Sequence, residues 1–280
     1  MRIDLHTHSR ASDGTETPAE VVAAARDAGL DVVALTDHDT TAGWDEAADA
    51  ARRLGISLVR GTEVSARARG VSVHVLSYLQ DPDHPALVRE LDLARESRLH
   101  RAERIVERLS RDVPVTWQDV LDQARDAVAV GRPHIADALV ARGVVPDRDA
   151  AFRHLLSSSG PYHVDHYAPS AVDAVAAIRQ AGGVPVLAHP AADARGRVVT
   201  ERDVEAMAEA GLAGLEVHHR DHTAEQRERL LRLADRLGLL VTGSSDYHGA
   251  GKANRLGENV TDRHVLDEIV RQGTTEVVTA

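Results

Sequence analysis

The chain has 280 residues, a formal net charge of −11, and 43% hydrophobic but only 2% aromatic residues. This length suffices for one large α/β domain or a domain with an insertion, and the acidic charge argues against a general nucleic-acid-binding surface. The absence of cysteine excludes disulfides and thiolate metal sites. No apolar run reaches the roughly 20 residues that span a bilayer. Because the first predicted strand begins at Arg2, we expect no signal peptide, no membrane partner and a cytoplasmic location.

Strands and helices alternate in the first third of the chain. Pro18 near the start and Gly29 at the end delimit the first helix. Such alternation predicts parallel strand pairing with the helices outside the sheet. The predicted elements are a strand at Arg2–His6, a helix at Pro18–Ala28, a strand at Val32–Asp37, a helix at Thr41–Leu54, and strands at Ile56–Val64 and Val71–Leu79.

The pattern changes at about Asp83. From His84 to Ser159 it is helical, with no convincing strand, and this predicts a helical insertion (cap) domain over residues 84–159. The barrel itself is then discontinuous, with residues 1–83 and 160–280. The predicted helices of the insertion are Pro85–Ser110, Trp117–Asp126, His134–Arg142 and Asp147–Leu156.

The α/β alternation resumes after the insertion and continues to the end of the chain. Six or seven strand–helix units in total predict an α/β barrel. The remaining elements are a helix at Ser170–Ala181, a strand at Val184–Ala188, a helix at Glu201–Ala210, a strand at Gly214–Val217, a helix at Thr223–Leu237, a strand at Leu239–Thr242, a helix at His264–Arg271 and a strand at Thr275–Val278.

Histidines and carboxylates recur where the predicted strands end. Functional groups of an α/β barrel gather at the carboxyl ends of its strands, and residues i and i+2 of a strand face the same side. Buried charges in this number must be paired or must bind metal. Imidazole and carboxylate donors together suit Zn, Mn or Fe. The nine predicted metal ligands are His6, His8, Asp13, His38, Glu63, His74, His189, Asp246 and His248.

These residues lie in a series of short motifs that run in order from residue 4 to residue 249. The series resembles that of the PHP (polymerase and histidinol phosphatase) family. The resemblance implies a distorted (β/α)7 barrel that binds two or three divalent metal ions. The motifs are Asp4-Leu-His6-Thr-His8-Ser, Thr36-Asp-His38-Asp39, Gly61-Thr-Glu63, His74, Ala188-His189-Pro190 and Ser245-Asp246-Tyr-His248-Gly.

The resemblance also implies how the ligands are shared among the ions. One ion would take His6, His8, Glu63 and Asp246; a second would share Glu63 with His74 and His189; a third would take Asp13, His38 and His248. Three divalent ions against three carboxylates leave the cluster at a charge of about +3, which attracts a phosphate dianion. A water acidified by the metals would then attack phosphorus.

Four further residues are candidates for substrate contact or acid catalysis. Arg132 and His134 lie in a Gly-Arg-Pro-His stretch that resembles one in the nucleotide-phosphatase subgroup of the family, where it helps to bind phosphate; alternatively, they are residues of an ordinary helix start. His222 is a candidate for phosphate contact or leaving-group protonation, or a solvent-facing loop residue. Asp39 is either the general acid or a carboxylate that orients His38.

The sequence thus predicts a metal-dependent phosphoesterase that acts on phosphate monoesters of small nucleotides. The subgroup resemblance points to AMP, to 3′,5′-bisphosphonucleotides and to the 5′ ends of short RNA, and the few aromatic residues argue against a stacking track for a stable nucleic-acid complex. The alternative substrates are histidinol phosphate and other small phosphorylated metabolites.

An amidohydrolase is less favoured because Lys252, the one lysine, follows Asp246 instead of lying in mid-barrel. A non-catalytic metal-binding barrel, as in some replicative polymerases, is less favoured because no polymerase sequence is attached.

Overall fold

The computed structural model describes residues 1–125, 127–157 and 160–279, with the backbone alone for Arg195. Seven strands form one sheet, in which each strand pairs with its neighbour in sequence. They are β1 (Ile3–Asp4), β2 (Val32–Leu35), β3 (Ser57–Ala68), β4 (Val71–Tyr78), β5 (Val184–Leu187), β6 (Gly214–His218) and β7 (Leu240–Gly243).

The strand pairing is parallel on both sides of β4 but antiparallel at β4 itself. Strands β1 to β3 and β5 to β7 pair in parallel, whereas β4 is antiparallel to both β3 and β5. The cause is the two-residue connection of Arg69 (φ 47°) and Gly70 (φ 77°). Two consecutive residues with positive φ form the tight turn of a hairpin, which joins only antiparallel strands. The expectation of parallel pairing is therefore wrong for β4.

The two ends of the sheet meet just beyond β1 and β7. Thr7 and Tyr247 form a parallel bridge, and the His8 amide donates to the Tyr247 carbonyl at 2.8 Å. The sheet is therefore a nearly closed seven-stranded barrel, which confirms the predicted fold class. The predicted last strand, Thr275–Val278, is wrong: of its residues only Val278 pairs, in an isolated antiparallel bridge to Leu58.

Ten α-helices are described, together with one 3₁₀ turn at Asp193–Arg195. Four of them begin at a threonine whose side chain accepts the amide hydrogen of the third helical residue, the usual threonine cap. None of the described helices is both long and apolar enough to cross a membrane. The helices are α1 (Pro18–Asp27), α2 (Trp44–Leu54), α3 (Pro85–Leu109), α4 (Trp117–Ala124), α5 (Arg132–Ala141), α6 (Arg148–His154), α7 (Ala171–Gln180), α8 (Glu201–Glu209), α9 (Ala224–Leu237) and α10 (Arg263–Gln272).

Helix α3 links the barrel to the other helices of the predicted insertion. Its residues Leu87 and Leu91 pack in the cluster of β3, β4 and α7. Its second half, from Ala102 onward, packs with α4, α5 and α6 in a separate hydrophobic cluster. This separate core is the observation that favours an inserted cap, whose exact boundaries stay a prediction. Asp126, Ser159 and Ala280, three ends predicted from the sequence, lie outside the described residues.

Candidate metal centre

All nine predicted ligands lie together at one end of the barrel. Most of them follow the carboxyl ends of strands, as expected, but Glu63 and His74 lie inside β3 and β4. The prediction that Glu63 ends its strand is wrong. Strand β3 leaves β2 after Arg60 and continues in the hairpin with β4, so Glu63 lies in mid-strand, bridged to His38. Seven of the nine side chains are buried, and His74 and His189 are half-buried.

Three groups of these side chains have donor atoms within 4.8 Å of one another. Each pair of groups shares one residue, namely His8, Glu63 or His38, so the groups form one continuous cluster. Shared donors of this kind suit a multinuclear site, not separate single-ion sites. The groups are His8, Asp13, His38 and His248; His6, His8 and Glu63; and His38, Glu63 and His74.

The two remaining predicted ligands border the same cluster. Asp246 Oδ1 lies 3.5 Å from Nε2 of His6 and also 3.5 Å from Nε2 of His8. His189 Nε2 lies 3.2 Å from Glu63 Oε1. The grouping differs from the predicted sharing at two histidines. His8 also lies with the Asp13, His38 and His248 group, and His38 also lies with Glu63 and His74.

Glu63 is the centre of the cluster. Ring nitrogens of five histidines lie 2.9–3.4 Å from its carboxylate oxygens. Its Oε1 faces His74 and His189, and its Oε2 faces the other three histidines. One carboxylate with its two oxygens directed at different imidazole groups has the geometry of a bridging ligand. The histidines are His6, His8, His38, His74 and His189.

Several ring nitrogens at the cluster are buried but have no hydrogen-bond partner among the described residues. These are Nδ1 of His38, Nδ1 of His74 and Nε2 of His248. Carboxylate oxygens lie 3.1, 2.9 and 3.3 Å away, but not in hydrogen-bonding geometry. Because buried polar atoms are normally paired, imidazole lone pairs that converge with carboxylates in a thiolate-free site fit divalent ions of the Zn, Mn or Fe type.

The carboxylates of the cluster are held in their ionised form. Burial by itself would raise the pKa of Glu63, but electrostatic interaction with the imidazoles of His74 and His38 holds that pKa well below its usual range. Burial likewise opposes ionisation of Asp13, and electrostatic interaction with the imidazoles of His248 and His38 keeps its pKa well below the usual range. Both carboxylates are therefore available as anionic ligands at neutral pH.

The histidines divide into proton-holding and neutral members. Burial would lower the pKa of His8, but hydrogen bonds with Asp246 and Glu63 raise it to about 9. For His38 burial dominates, and its pKa lies well below the usual value. A histidine must be neutral to bind a metal ion. An ion that enters the cluster must therefore displace the proton of His8, whereas His38 is already neutral.

Glu216 orients two of the predicted ligands and was not singled out from the sequence. It is fully buried in β6 and accepts hydrogen bonds from His6 Nδ1 at 2.9 Å and from the His189 amide at 2.7 Å. Ser244 Oγ also donates to it. Since a carboxylate only accepts, the neutral form of His6 carries its proton on Nδ1, and Nε2 is then the nitrogen whose lone pair faces the cluster.

Two further carboxylates in the recognised motifs hold the loops that carry the ligands. Asp4 accepts the amide hydrogens of Ser245 at 3.0 Å and Gly257 at 2.8 Å. Asp37 accepts from both the amide and the hydroxyl of Ser9, at 2.8 and 2.7 Å. The signal available in the sequence was their position, one or two residues before a predicted ligand.

The backbone is strained at the cluster. Among the described residues other than glycine, six have positive φ, and three of these belong to the site: Asp39 (52°), His189 (30°) and Asp246 (55°). Each such residue costs on the order of 1–3 kcal/mol and persists only where the surroundings enforce it. The fold therefore holds these three residues in a backbone conformation that costs free energy, and this conformation sets the direction of their side chains.

The polar atoms of the two candidates for acid catalysis already form hydrogen bonds within the protein. Asp39 accepts from the amide and hydroxyl of Ser65, at 2.7 and 2.8 Å, and from Arg98 Nε at 2.8 Å. His222 donates from Nδ1 to the Val217 carbonyl at 2.9 Å, and its Nε2 accepts from the Ala191 amide at 3.2 Å. Their catalytic roles stay predictions, since both groups act here as positioning residues.

The two candidates for substrate contact lie on the first turn of α5. Arg132 is half-buried; its Nη1 donates to the Leu156 carbonyl at 3.1 Å, and its guanidinium lies 5.5 Å from the centre of the Phe152 ring. His134 Nδ1 accepts from the Gly131 amide at 3.1 Å. Burial lowers the pKa of His134, although Asp13 nearby opposes this. His134 is therefore a neutral residue near the Asp13 side of the cluster.

Two residues near Asp246 complete the site and were not assigned from the sequence. Lys252 Nζ lies 3.0 Å from Asp246 Oδ2. His219 is fully buried, accepts from the Asp221 amide at its Nδ1, and directs Nε2 towards Asp246 Oδ2 at 3.7 Å. Both therefore place positive charge or a hydrogen-bond donor beside this carboxylate.

Comparison with known proteins agrees with this architecture. Residues 4–116 match the PHP domain family. A 3′,5′-nucleoside bisphosphate phosphatase from Chromobacterium violaceum is 39% identical over 256 residues, which cover 90% of this chain and 89% of that protein. A 5′-3′ exoribonuclease from Haemophilus influenzae is 33% identical over 261 residues, which cover 92% and 94% of the two chains.

A solved structure shows the same fold over nearly the whole chain. It is that of a protein from Bifidobacterium adolescentis assigned as a metal-dependent phosphoesterase, with a TM-score of 0.95 and 47% sequence identity. The alignment covers 97% of this chain and 96% of that one. With the motifs in order, the ligands gathered at one barrel end and relatives matched over nearly their full length, the chain belongs to the PHP-domain family of metal-dependent phosphoesterases.

Proposed function

We propose that the protein is a hydrolase that removes phosphate from small nucleotides, with 3′,5′-nucleoside bisphosphates and AMP as its substrates. The observation that carries the proposal is the continuous cluster in which His8, His38 and Glu63 are each shared by two donor groups. The nucleotide specificity is supported by the relative named a 3′,5′-nucleoside bisphosphate phosphatase. Short RNA 5′ ends are a second candidate, supported by the relative named a 5′-3′ exoribonuclease.

The metal ions would be held by the nine residues that the sequence predicts, with Glu63 as the bridging carboxylate. When bound, the ions supply positive charge for the phosphoryl oxygens and acidify a water for attack on phosphorus. We propose two or three ions of the Mn, Zn or Fe type, since the donor set contains only imidazole and carboxylate groups.

The protein's own contribution is to fix the direction of each ligand. Glu216 holds the ring of His6 and the backbone of His189 at once, at 2.9 and 2.7 Å. Asp39 anchors Ser65 and Arg98 next to His38. Groups whose rotamers are locked in this way need no reorganisation when charge develops on the substrate, which is the main source of electrostatic catalysis.

Small nucleotides fit this chain better than long nucleic acid. The net charge is −11 and aromatic residues are 2% of the chain. An extended single strand requires a basic groove and stacked aromatic rings along its length. Attraction of a phosphate must therefore be local to the metal cluster and to the few arginines beside it.

The alternative functions are those of an amidohydrolase and of a phosphatase with another substrate. In the amidohydrolase barrel that begins with a similar His-x-His motif, a carboxylated lysine joins two ions. Here the amine of Lys252 pairs with Asp246 at 3.0 Å, so it serves as a charged partner of a carboxylate. Histidinol phosphate and sugar phosphates remain as alternative substrates for the same chemistry.

The test is a phosphate-release assay with the full chain after loading with Mn²⁺, Zn²⁺ or Fe²⁺. The substrates at equal concentration are AMP, adenosine 3′,5′-bisphosphate, histidinol phosphate, fructose bisphosphate and a longer single-stranded RNA. One of the two nucleotides should have a kcat/KM at least roughly tenfold above the others. A Glu63→Gln variant, purified in parallel, controls for contaminating phosphatases. A lead for histidinol phosphate or the sugar phosphate would refute nucleotide specificity, and rapid degradation of the RNA would favour an exoribonuclease.

A further inference from the structure

The loop that carries Asp13 belongs to the barrel but contacts the helical insertion. We call residues 10–14 the Asp13 loop. The carbonyl of Ala11 accepts from the amide of Val128 at 3.0 Å, and the carbonyl of Asp13 itself accepts from Arg148 Nη1 at 3.4 Å. The two donors come from different parts of the insertion, one before α5 and the other at the start of α6.

A third contact lies between these two. The ring of His134, on the first turn of α5, hydrogen-bonds with the backbone of Ser12. Three consecutive residues of the Asp13 loop are therefore bonded to three segments of the insertion. The position of this predicted ligand depends on the insertion as well as on the barrel.

Arg148 is held in one orientation by a carboxylate of the neighbouring helix. Its Nε and Nη2 donate to the two oxygens of Asp137 on α5, each at 2.5 Å. The two side chains are only 16% and 26% exposed. Burial by itself would lower the pKa of Arg148, but the hydrogen bonds with Asp137 raise it. Paired bonds of this kind fix the plane of the guanidinium, so Nη1, which Asp137 does not use, faces the Asp13 loop.

The same guanidinium lies against the turn that follows His248. Gly251 closes this turn, which we call the His248 turn, by donating its amide hydrogen to the His248 carbonyl at 3.3 Å. A Cβ atom at Gly251 would overlap Arg148 Nη1 and lie 2.9 Å from Arg148 Cζ. The φ of Gly251 is not positive, so the backbone does not require glycine here. The guanidinium instead requires the space.

Arg148 thus lies between two segments that carry ligands of one predicted metal position. The Oδ1 atom of Asp13 and the Nε2 atom of His248 are 3.3 Å apart. The two segments also contact each other within the barrel, since the Thr15 amide donates to the His248 carbonyl at 3.2 Å. Displacement of either segment would change the distance between the two ligand atoms. The donor group to which both belong is His8, Asp13, His38 and His248.

We propose that Arg148 is a positioning residue through which the insertion completes this one metal position. Its guanidinium fixes the spacing between the Asp13 loop and the His248 turn, and so between two ligands of the same ion. This inference rests on the proposed function, because it requires that the cluster binds metal. It goes further in giving the insertion a role in metal binding, in addition to any contact with substrate. Groups that orient metal ligands typically contribute about 10- to 100-fold to metal affinity.

The first test measures metal affinity in Arg148→Met and in a matched control, Arg142→Met. Methionine keeps an unbranched apolar side chain but has no hydrogen-bond donor. Arg142 is exposed and donates to the Pro114 carbonyl at 3.1 Å, within the insertion. Competition titration of Zn²⁺ against a chromophoric chelator should show one ion bound at least about tenfold more weakly in Arg148→Met. The other ions, and all ions in Arg142→Met, should bind as in the wild type. Wild-type affinity for every ion in Arg148→Met overturns the proposal.

A double-mutant cycle with Asp13→Ala distinguishes positioning from a general loss of stability. Asp13→Ala removes the carboxylate and should weaken the same ion. Adding Arg148→Met to Asp13→Ala should then lower the affinity by less than about twofold more, because the two changes act on one interaction. A further tenfold loss, or equal weakening of every ion in Arg148→Met, overturns the proposal. Wild-type metal binding by Asp13→Ala also overturns it, since Asp13 would then hold no ion.

Gly251→Ala tests the same contact without removing a charged group. Because the alanine Cβ overlaps Arg148 Nη1, either the guanidinium or the His248 turn must move. The ion weakened in Arg148→Met should be weakened here too, and wild-type affinity for every ion overturns the proposal. This variant replaces Arg148→Met should the latter prove misfolded by circular dichroism. None of the titrations requires hydrolysis. A chain that binds metal as expected but releases no phosphate therefore refutes only the proposed function, whereas equal metal affinity in all variants overturns only this inference.

Discussion

Glu216→Gln should change the tautomer of His6 and thereby weaken metal binding. The side-chain amide introduced by this substitution would have one oxygen and one NH₂ group in place of two oxygens. The backbone amide of His189, 2.7 Å from the Glu216 carboxylate, can only donate, so the oxygen of the new side chain must face it. The NH₂ group then faces His6 Nδ1, and that nitrogen must become an acceptor.

The proton of His6 consequently moves to Nε2. That nitrogen lies 3.4 Å from Glu63 Oε2 and 3.5 Å from Asp246 Oδ1, inside the donor group. A protonated nitrogen cannot coordinate a cation, and regaining the active tautomer requires breaking the new hydrogen bond. Loss of such an orienting carboxylate typically lowers metal affinity or activity by about 10- to 100-fold, which corresponds to about 1.4–2.7 kcal/mol.

The assay is a competition titration of Zn²⁺ or Mn²⁺ against a chromophoric chelator, with metal content by elemental analysis. Asp203→Asn is the matched control, since Asp203 is a buried carboxylate at the start of α8, where it hydrogen-bonds with Thr200. It should lose roughly 1 kcal/mol of stability as a weakened helix cap but keep its metal affinity. An affinity of Glu216→Gln within about twofold of the wild type would refute the tautomer argument.

Three further outcomes are expected. Chelation should abolish phosphate release, with recovery on addition of Mn²⁺, Zn²⁺ or Fe²⁺; full activity in protein shown to be metal-free would contradict the metal requirement. Glu63→Gln should reduce turnover at least roughly a hundredfold with an unchanged circular dichroism spectrum, and near-normal turnover would show that Glu63 does not bridge. Metal binding at neutral pH should release at least about one proton per chain, because a pKa of about 9 keeps His8 protonated until an ion binds. Calorimetry in two buffers of different ionisation enthalpy measures this release, and zero release would remove His8 from the ligands.

The sequence by itself predicted the helices and the histidines and carboxylates that gather at the candidate metal centre. Helix ends depend on local chemistry, such as the Thr17–Glu20 capping box of α1 and the left-handed Gly55 after α2. Most of the predicted ligands could be recognised because they stand in short motifs at strand ends, where a barrel collects its functional groups. These features depend only on residues that are close to one another in the sequence.

Strand direction and the position of Glu63 depended on the tertiary structure. The predicted alternation did not distinguish a hairpin from a parallel crossover at β4, and the turn at Arg69 and Gly70 decides it. Because β3 continues past β2 into this hairpin, Glu63 lies in mid-strand, where imidazoles from several strands reach both of its oxygens. The sequence motif around Glu63 does not indicate which of its two carboxylate oxygens faces which strand.

The residues that orient the predicted ligands were identified only from contacts between segments that are far apart in the sequence. Glu216 is 210 residues from His6, and a carboxylate in mid-strand looks the same in sequence whether it faces solvent or an imidazole. Arg98 on α3 likewise pairs with Asp39, 59 residues earlier in the chain, although by itself it resembles an ordinary surface arginine. Such hydrogen bonds depend on distances between remote segments, and these distances are fixed only when the barrel closes and the helices pack on it.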